Sequence, residues 1–140
     1  MKILLAVDGS AFTKKMLAYV TTHDELFSAN NDYAVLSVQP GIPPRARAAL
    51  GKEVVDKYHA EEADKVLTPV VKFLKRHGLP ASSSFKVGHA GETIAKTAES
   101  GKFDLVVMGS HGHGTLGNLV MGSVATKVVA QCTVPVLLVR

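Results

Sequence analysis

Apolar residues fall along the chain in short runs and one-sided stripes that alternate with polar breaks. Ile3 to Val7 is a continuous apolar run ended by Asp8-Gly9-Ser10, which predicts a strand buried on both faces and then a turn. Met16, Leu17 and Val20 supply one apolar helical face that Thr21-Thr22-His23 weakens. Residues 33–38 predict a second strand, and Gln39 to Pro44 breaks regular structure. A long helical region follows, clearest at Val66, Leu67, Val70, Val71 and Leu74, and closes at Gly78 and Pro80. Pro69 inside it means either a kink or a fresh start capped by Thr68.

Ser83 to Val87 predicts a weaker third strand ending at Gly88. Ile94, Ala95 and Ala98 mark a short helix, and Phe103 to Met108 a fourth strand. Val120, Val124 and Val128, at four-residue spacing with Val129 and Cys132 beside them, predict a helix after the glycine-rich stretch that follows. Val134 to Val139 closes the chain as a fifth strand. Strands alternating with helices predict the α/β class, a parallel sheet covered on both faces. We expect a single domain over residues 1–140, since no internal repeat or boundary is visible.

Composition narrows the function classes. The chain has 140 residues, 46% hydrophobic and 20% charged, and no run of about 18 apolar residues, so neither disorder nor a membrane span is predicted. The N-terminal apolar run stops at Asp8, too soon for a signal peptide. One cysteine, Cys132, suits a reducing compartment, the cytoplasm, and is expected to be a small buried hydrophobe. Net charge is +4, without the aromatic and basic interleaving of a nucleic-acid binder. Lys72, Lys75, Arg76 and His77 lie where cations meet the negative end of a helix dipole. Asp104 is the last acid, so the final quarter of the chain should tolerate an anion.

The chemistry concentrates in MGSHGHGTLGNLVMGS, Met108 to Ser123, with glycines at 109, 112, 114, 117 and 122. Each glycine forfeits about 0.5–1 kcal/mol relative to Ala in regular backbone, so the stretch needs a reason. In open parallel sheets ligands sit outside the carboxyl ends of strands. Asp8-Gly9-Ser10 and the glycine stretch occupy two such ends, and share a crevice if strands one and four are neighbours. Bare amides and the start of the next helix would then cradle phosphate, with the Ser123 hydroxyl as a further donor. Gly112-His-Gly114-Thr-Leu-Gly117 fits the dinucleotide pattern, but no acid follows it and only one strand remains. Gly117 to Ser123 approaches a P-loop but has Ser123 in place of the lysine. His111 and His113 lack partners at metal-ligand spacing, so solvent exposure or phosphate contact is expected of them. Asp8 either caps the first helix or faces a ligand.

A third pattern, Gly109-x2-Gly112-x9-Gly122-Ser123, resembles the nucleotide-binding signature of the universal stress protein family. MKILLAVDGS, VVMGSHGHG and VPVLLVR resemble that family's first strand, fourth strand with loop, and closing strand. The resemblance implies an open five-stranded parallel sheet of order 3-2-1-4-5 with helices on both faces, adenine nucleotide alpha hydrolase-like. It implies ATP, or AMP or ADP, with or without Mg2+, as ligand. By position, Asp8 would bind the ribose or adenine side, Ala6, Val7 and Val38 would line the base, Gly109, Gly112, His113, Gly122, Ser123 and Val124 would hold ribose and phosphates, and Met108 and His111 would belong to the same site. The chain departs from the family's common pattern at His111 and His113, where many members carry Arg or Lys. The resemblance also implies a homodimer through the last strand, at Val136 and Leu138. No catalytic set is visible, and at most weak ATP hydrolysis by a bound Mg2+ and a water is expected. The expected role is a nucleotide-binding stress sensor or regulator; the alternatives are a dimeric interaction module of the same fold that binds no nucleotide, or a nucleotide-dependent enzyme.

Overall fold

The N-terminal apolar run becomes the centre of a sheet. In the computed structural model, which describes residues 1–113 and 120–140, the order is β1 (Lys2–Val7), α1 (Ala11–Thr22), β2 (Asp32–Gln39), α2 (Pro44–Leu50), α3 (Lys52–Arg76), β3 (Ala81–Val87), α4 (Ala90–Ser100), β4 (Leu105–Gly109), α5 (Ser123–Gln131) and β5 (Val136–Val139). The sheet order is β3-β2-β1-β4-β5, with every pair parallel. Strand β1 is therefore flanked by β2 and β4, and Ala6 pairs with Leu36 on one side and Met108 on the other. The chain reverses its direction of winding between β1 and β4, which opens a crevice at their carboxyl ends.

Alternation within the strands divides the core in two. Ile3, Leu5 and Val7 pack with Met16 and Val20 of α1 and Leu67, Val70 and Leu74 of α3 on one face. Leu4 and Ala6 pack with Ile94 and Ala98 of α4 and Ala125 and Val128 of α5 on the other. Both faces of β1 are thus buried, as its unbroken apolar run requires.

Several boundaries differ from the expected ones. Helix α1 runs through Thr21 and Thr22, whose hydroxyls donate to the carbonyls of Leu17 at 2.9 Å and Ala18 at 2.7 Å, so each hydroxyl finds its partner within the helix. The long helical region is two helices, parted at Gly51 with φ of 85°. Pro69 sits inside a continuous α3, so there is no fresh start at Thr68. Strand β3 starts at Ala81, β4 at Leu105 and β5 at Val136. Val120 lies outside α5 and is 77% exposed, and Val129 is 47% exposed; the buried face of α5 is Ala125 and Val128. Cys132 follows α5 as its C-cap and is half-buried rather than buried. No helix among the described residues is long and apolar enough to cross a membrane.

Candidate nucleotide site at the ends of strands one and four

The turn after β1 is built around Asp8. Its Oδ1 accepts the Ser10 backbone N–H and the Thr13 hydroxyl, each at 2.9 Å, while Thr13 Oγ1 accepts the Asp8 N–H at 3.1 Å. Thr13 is a buried residue of α1, so the helix fixes the carboxylate. The N-cap of α1 is Ser10, with no side-chain cap bond. Asp8 therefore shapes the turn through Ser10 and Thr13 without capping the helix itself.

The chain leaving β4 is tied back to that turn. His113 Nε2 donates to the Asp8 carbonyl at 2.7 Å, and Ser110 Oγ lies 2.8 Å from His111 Nδ1. His111 is half-buried, its ring 4.8 Å from that of Phe12. The Gly122 N–H donates to the Ser110 carbonyl at 2.7 Å. Gly114 and Gly117 lie outside the described residues.

The remaining glycines have a steric reason. A Cβ on Gly109 would stand 2.6 Å from Phe12 Cβ, one on Gly112 2.7 Å from Asp8 Oδ2, and one on Gly122 3.0 Å from His111 Cα and 3.2 Å from the Ser110 oxygen. Among the described residues the positive-φ glycines lie elsewhere, at Gly9, Gly51, Gly78 and Gly88. Close approach of chain to chain, rather than unusual backbone angles, thus excludes side chains at 109, 112 and 122.

All twelve residues expected at the site line one cleft of about 360 Å3: Ala6, Val7, Asp8, Val38, Met108, Gly109, His111, Gly112, His113, Gly122, Ser123 and Val124. Thr13, Leu36, Ala90, Ile94 and Ala125 line it too, and were not expected from sequence. Leu36 and Ile94 could have been flagged, since they share an apolar face with Ala6. Thr13 carried no signal, because its bond to Asp8 exists only once the turn has closed.

One end of the cleft is apolar, from Ala6, Leu36, Val38, Ile94 and Met108. The other end meets the start of α5. The Gly122 carbonyl accepts the Thr126 N–H at 3.0 Å, no side chain among the described residues caps the helix, and its first turn has no acid. The amides of Ser123, Val124 and Ala125 therefore precede any helical partner and carry the positive end of the dipole. No Lys or Arg lines the cleft among the described residues, so affinity for an anion would come from peptide dipoles. Among the described residues there is also no group of three or more His, Cys, Asp and Glu able to hold a metal ion.

The model of the universal stress protein family matches residues 1–140. The chain belongs to that family. Over 139 residues it is 33% identical to a universal stress protein of Thermus aquaticus, covering 99% of this chain and 97% of that one. It is 32% identical over 140 residues to the universal stress protein Slr1230 of Synechocystis, covering 99% of this chain but only 42% of that longer relative. Among solved structures, MJ0577 of Methanocaldococcus jannaschii superposes with a TM-score of 0.83 at 28% identity, covering 99% of this chain and 94% of that one. Universal stress proteins solved with dAMP, from Archaeoglobus fulgidus, and with AMP, from Arabidopsis thaliana, share the fold at 20% and 18% identity, each with a TM-score of 0.68; they cover 100% and 99% of this chain and 98% and 90% of their own. The architecture is the adenine nucleotide alpha hydrolase-like one.

Proposed function

We propose that this universal stress protein, as one domain over 1–140, binds an adenine nucleotide in the cleft between β1 and β4 and acts as a stress-response sensor or regulator. The observation that carries this is the uncapped, acid-free start of α5 facing an apolar wall across a cleft that also holds Asp8. The base would lie against Val38, Leu36 and Ile94, the ribose hydroxyls would donate to Asp8, and the phosphates would accept the amides of Ser123 to Ala125. Family members that hold cAMP, dAMP and AMP support the ligand class. ATP is the proposed physiological ligand, with AMP and ADP sharing its contacts. Mg2+ accompanying ATP would rest on phosphate oxygens and water more than on a protein cage.

A reducing cytoplasm suits the single unbridged cysteine. We also propose a homodimer through β5, an edge strand whose four residues are all only partly buried. Val136 and Leu138 would lie at its centre, and such an edge needs cover.

Thermal melting with AMP, ADP and ATP, the last with and without Mg2+, tests the ligand. Nucleotide at 100 times its dissociation constant should add about 2.7 kcal/mol of stability. In Gly122→Val the new side chain presses on Ser110 and His111, so the shift should vanish while a cooperative melt persists. A full shift in that variant would mean that the phosphates lie elsewhere.

A further inference from the structure

A second concavity lies on the other side of the connection after β2. Val38 ends on the nucleotide cleft, and three residues later Gly41 and Ile42 wall a separate cleft of about 520 Å3, closed by α2, the start of α3 and the end of β3. The volume is within the range of roughly 300–1,000 Å3 typical of small-molecule sites.

Its floor holds an unexplained group. His59, in the first half of α3, is 4% exposed, lines this cleft, and has an Nδ1 with no hydrogen-bond partner among the described residues. A buried ring nitrogen left unpaired works against folding, whereas an apolar side chain there would carry no such penalty. A bound ligand would supply the missing partner.

The rim supplies charge and the walls supply apolar surface. Arg47, in the last turn of α2, and Lys52, which opens α3, line the cleft with one carboxylate, Asp56. None of the three is in an ion pair among the described residues. Glu53 in the first turn of α3 offsets the helix dipole there, so the positive charge of the rim comes from Arg47 and Lys52. Ile42, Val55 and Val87 form the apolar wall, and Val87 remains 47% exposed. Helix α2 buries none of its own residues, so one side of the cleft rests on a lightly held element.

We infer that this cleft is a second binding site, one that takes a small organic anion, a phosphate or carboxylate on an apolar body, with Arg47 and Lys52 on the anion, His59 as a buried hydrogen-bonding partner and Ile42, Val55 and Val87 against the body. It is separate from the nucleotide cleft and does not depend on that cleft being filled.

Phenyl phosphate is a suitable probe, followed by two-dimensional NMR of the full chain. Saturable shifts are expected at the His59 ring and at the Val55 and Val87 methyls. Inorganic phosphate, which lacks the body, and benzyl alcohol, which lacks the anion, should each bind more weakly. The exposed pair Arg47→Gln with Lys52→Gln should weaken phenyl phosphate about tenfold, the order of one charge-assisted hydrogen bond. His59→Phe should lose the binding while melting no lower than the parent; if it fails to fold, the Arg47 and Lys52 variant decides. Shifts confined to Asp8, Val38 and Ser123, no saturable shift at all, or affinity unchanged by removing both cations would each overturn the inference.

Discussion

Asp8 and Thr13 hold each other at the exit of β1, through two hydrogen bonds near 3 Å. Because Thr13 is buried, replacing it with Val leaves the Asp8 N–H without its partner. Thr13→Val should cost about 1–3 kcal/mol in urea unfolding and weaken AMP as well, since the carboxylate loses its anchor; unchanged stability would show that the pair contributes nothing. Asp8 was legible as a candidate because it ends an apolar run at a strand terminus. Thr13 was not, because a threonine five residues later on a helix looks like any other. The glycines were legible as a need but not in their cause. Phe12, Asp8 and the Ser110–His111 backbone come within 2.6–3.2 Å of where their side chains would start, and only the folded chain brings those groups there.

Elements are held by contacts as local as these. Helices α4 and α5 meet where a Cβ on Gly91 would stand 2.5 Å from Lys127 Cβ. Gly91→Ala should force the helices apart and destabilise by about 1–3 kcal/mol despite the better helix propensity of alanine; a stabilised variant would mean the gap adjusts freely. Further along, the Thr133 N–H and hydroxyl both donate to Glu99 Oε1. Those bonds hold the Glu99 carboxyl below the usual glutamate range. A depressed folded-state pKa stabilises fully above the unfolded value and is lost as pH falls through the folded one. The deficit of Glu99→Gln relative to the parent should therefore be greatest near neutrality and shrink in acid; a deficit independent of pH would rule the charge out. Helix existence was readable from apolar spacing, but ends were not. Val120 shares a four-residue spacing with Val124 and Val128 yet lies outside the helix, because α5 begins at Ser123. The division at Gly51 was hidden because α2 buries no residue and so leaves no apolar stripe.

At the scale of the whole molecule, alternation along β1 sends odd and even residues into two separate cores. The α/β class could be read directly from the order of runs and stripes. The strand order came from likeness to a family, since periodicity does not say which strands are neighbours. Strand β3 was faint because it is an edge strand with no buried residue, only Ala81 being partly covered. The opposite edge, β5, carries the proposed dimer. Sedimentation should show a dimer at micromolar concentration, and a monomer there would remove β5 as an interface. Crystals soaked with ATP and Mg2+ put the nucleotide cleft to the most direct test. Ordered density is expected with the base against Val38 and Ile94, the ribose on Asp8, and phosphate oxygens about 3 Å from the amides of Ser123 to Ala125. A cleft without nucleotide at saturating ATP, or nucleotide bound elsewhere with Asp8 making no contact to it, would contradict a nucleotide role for this site.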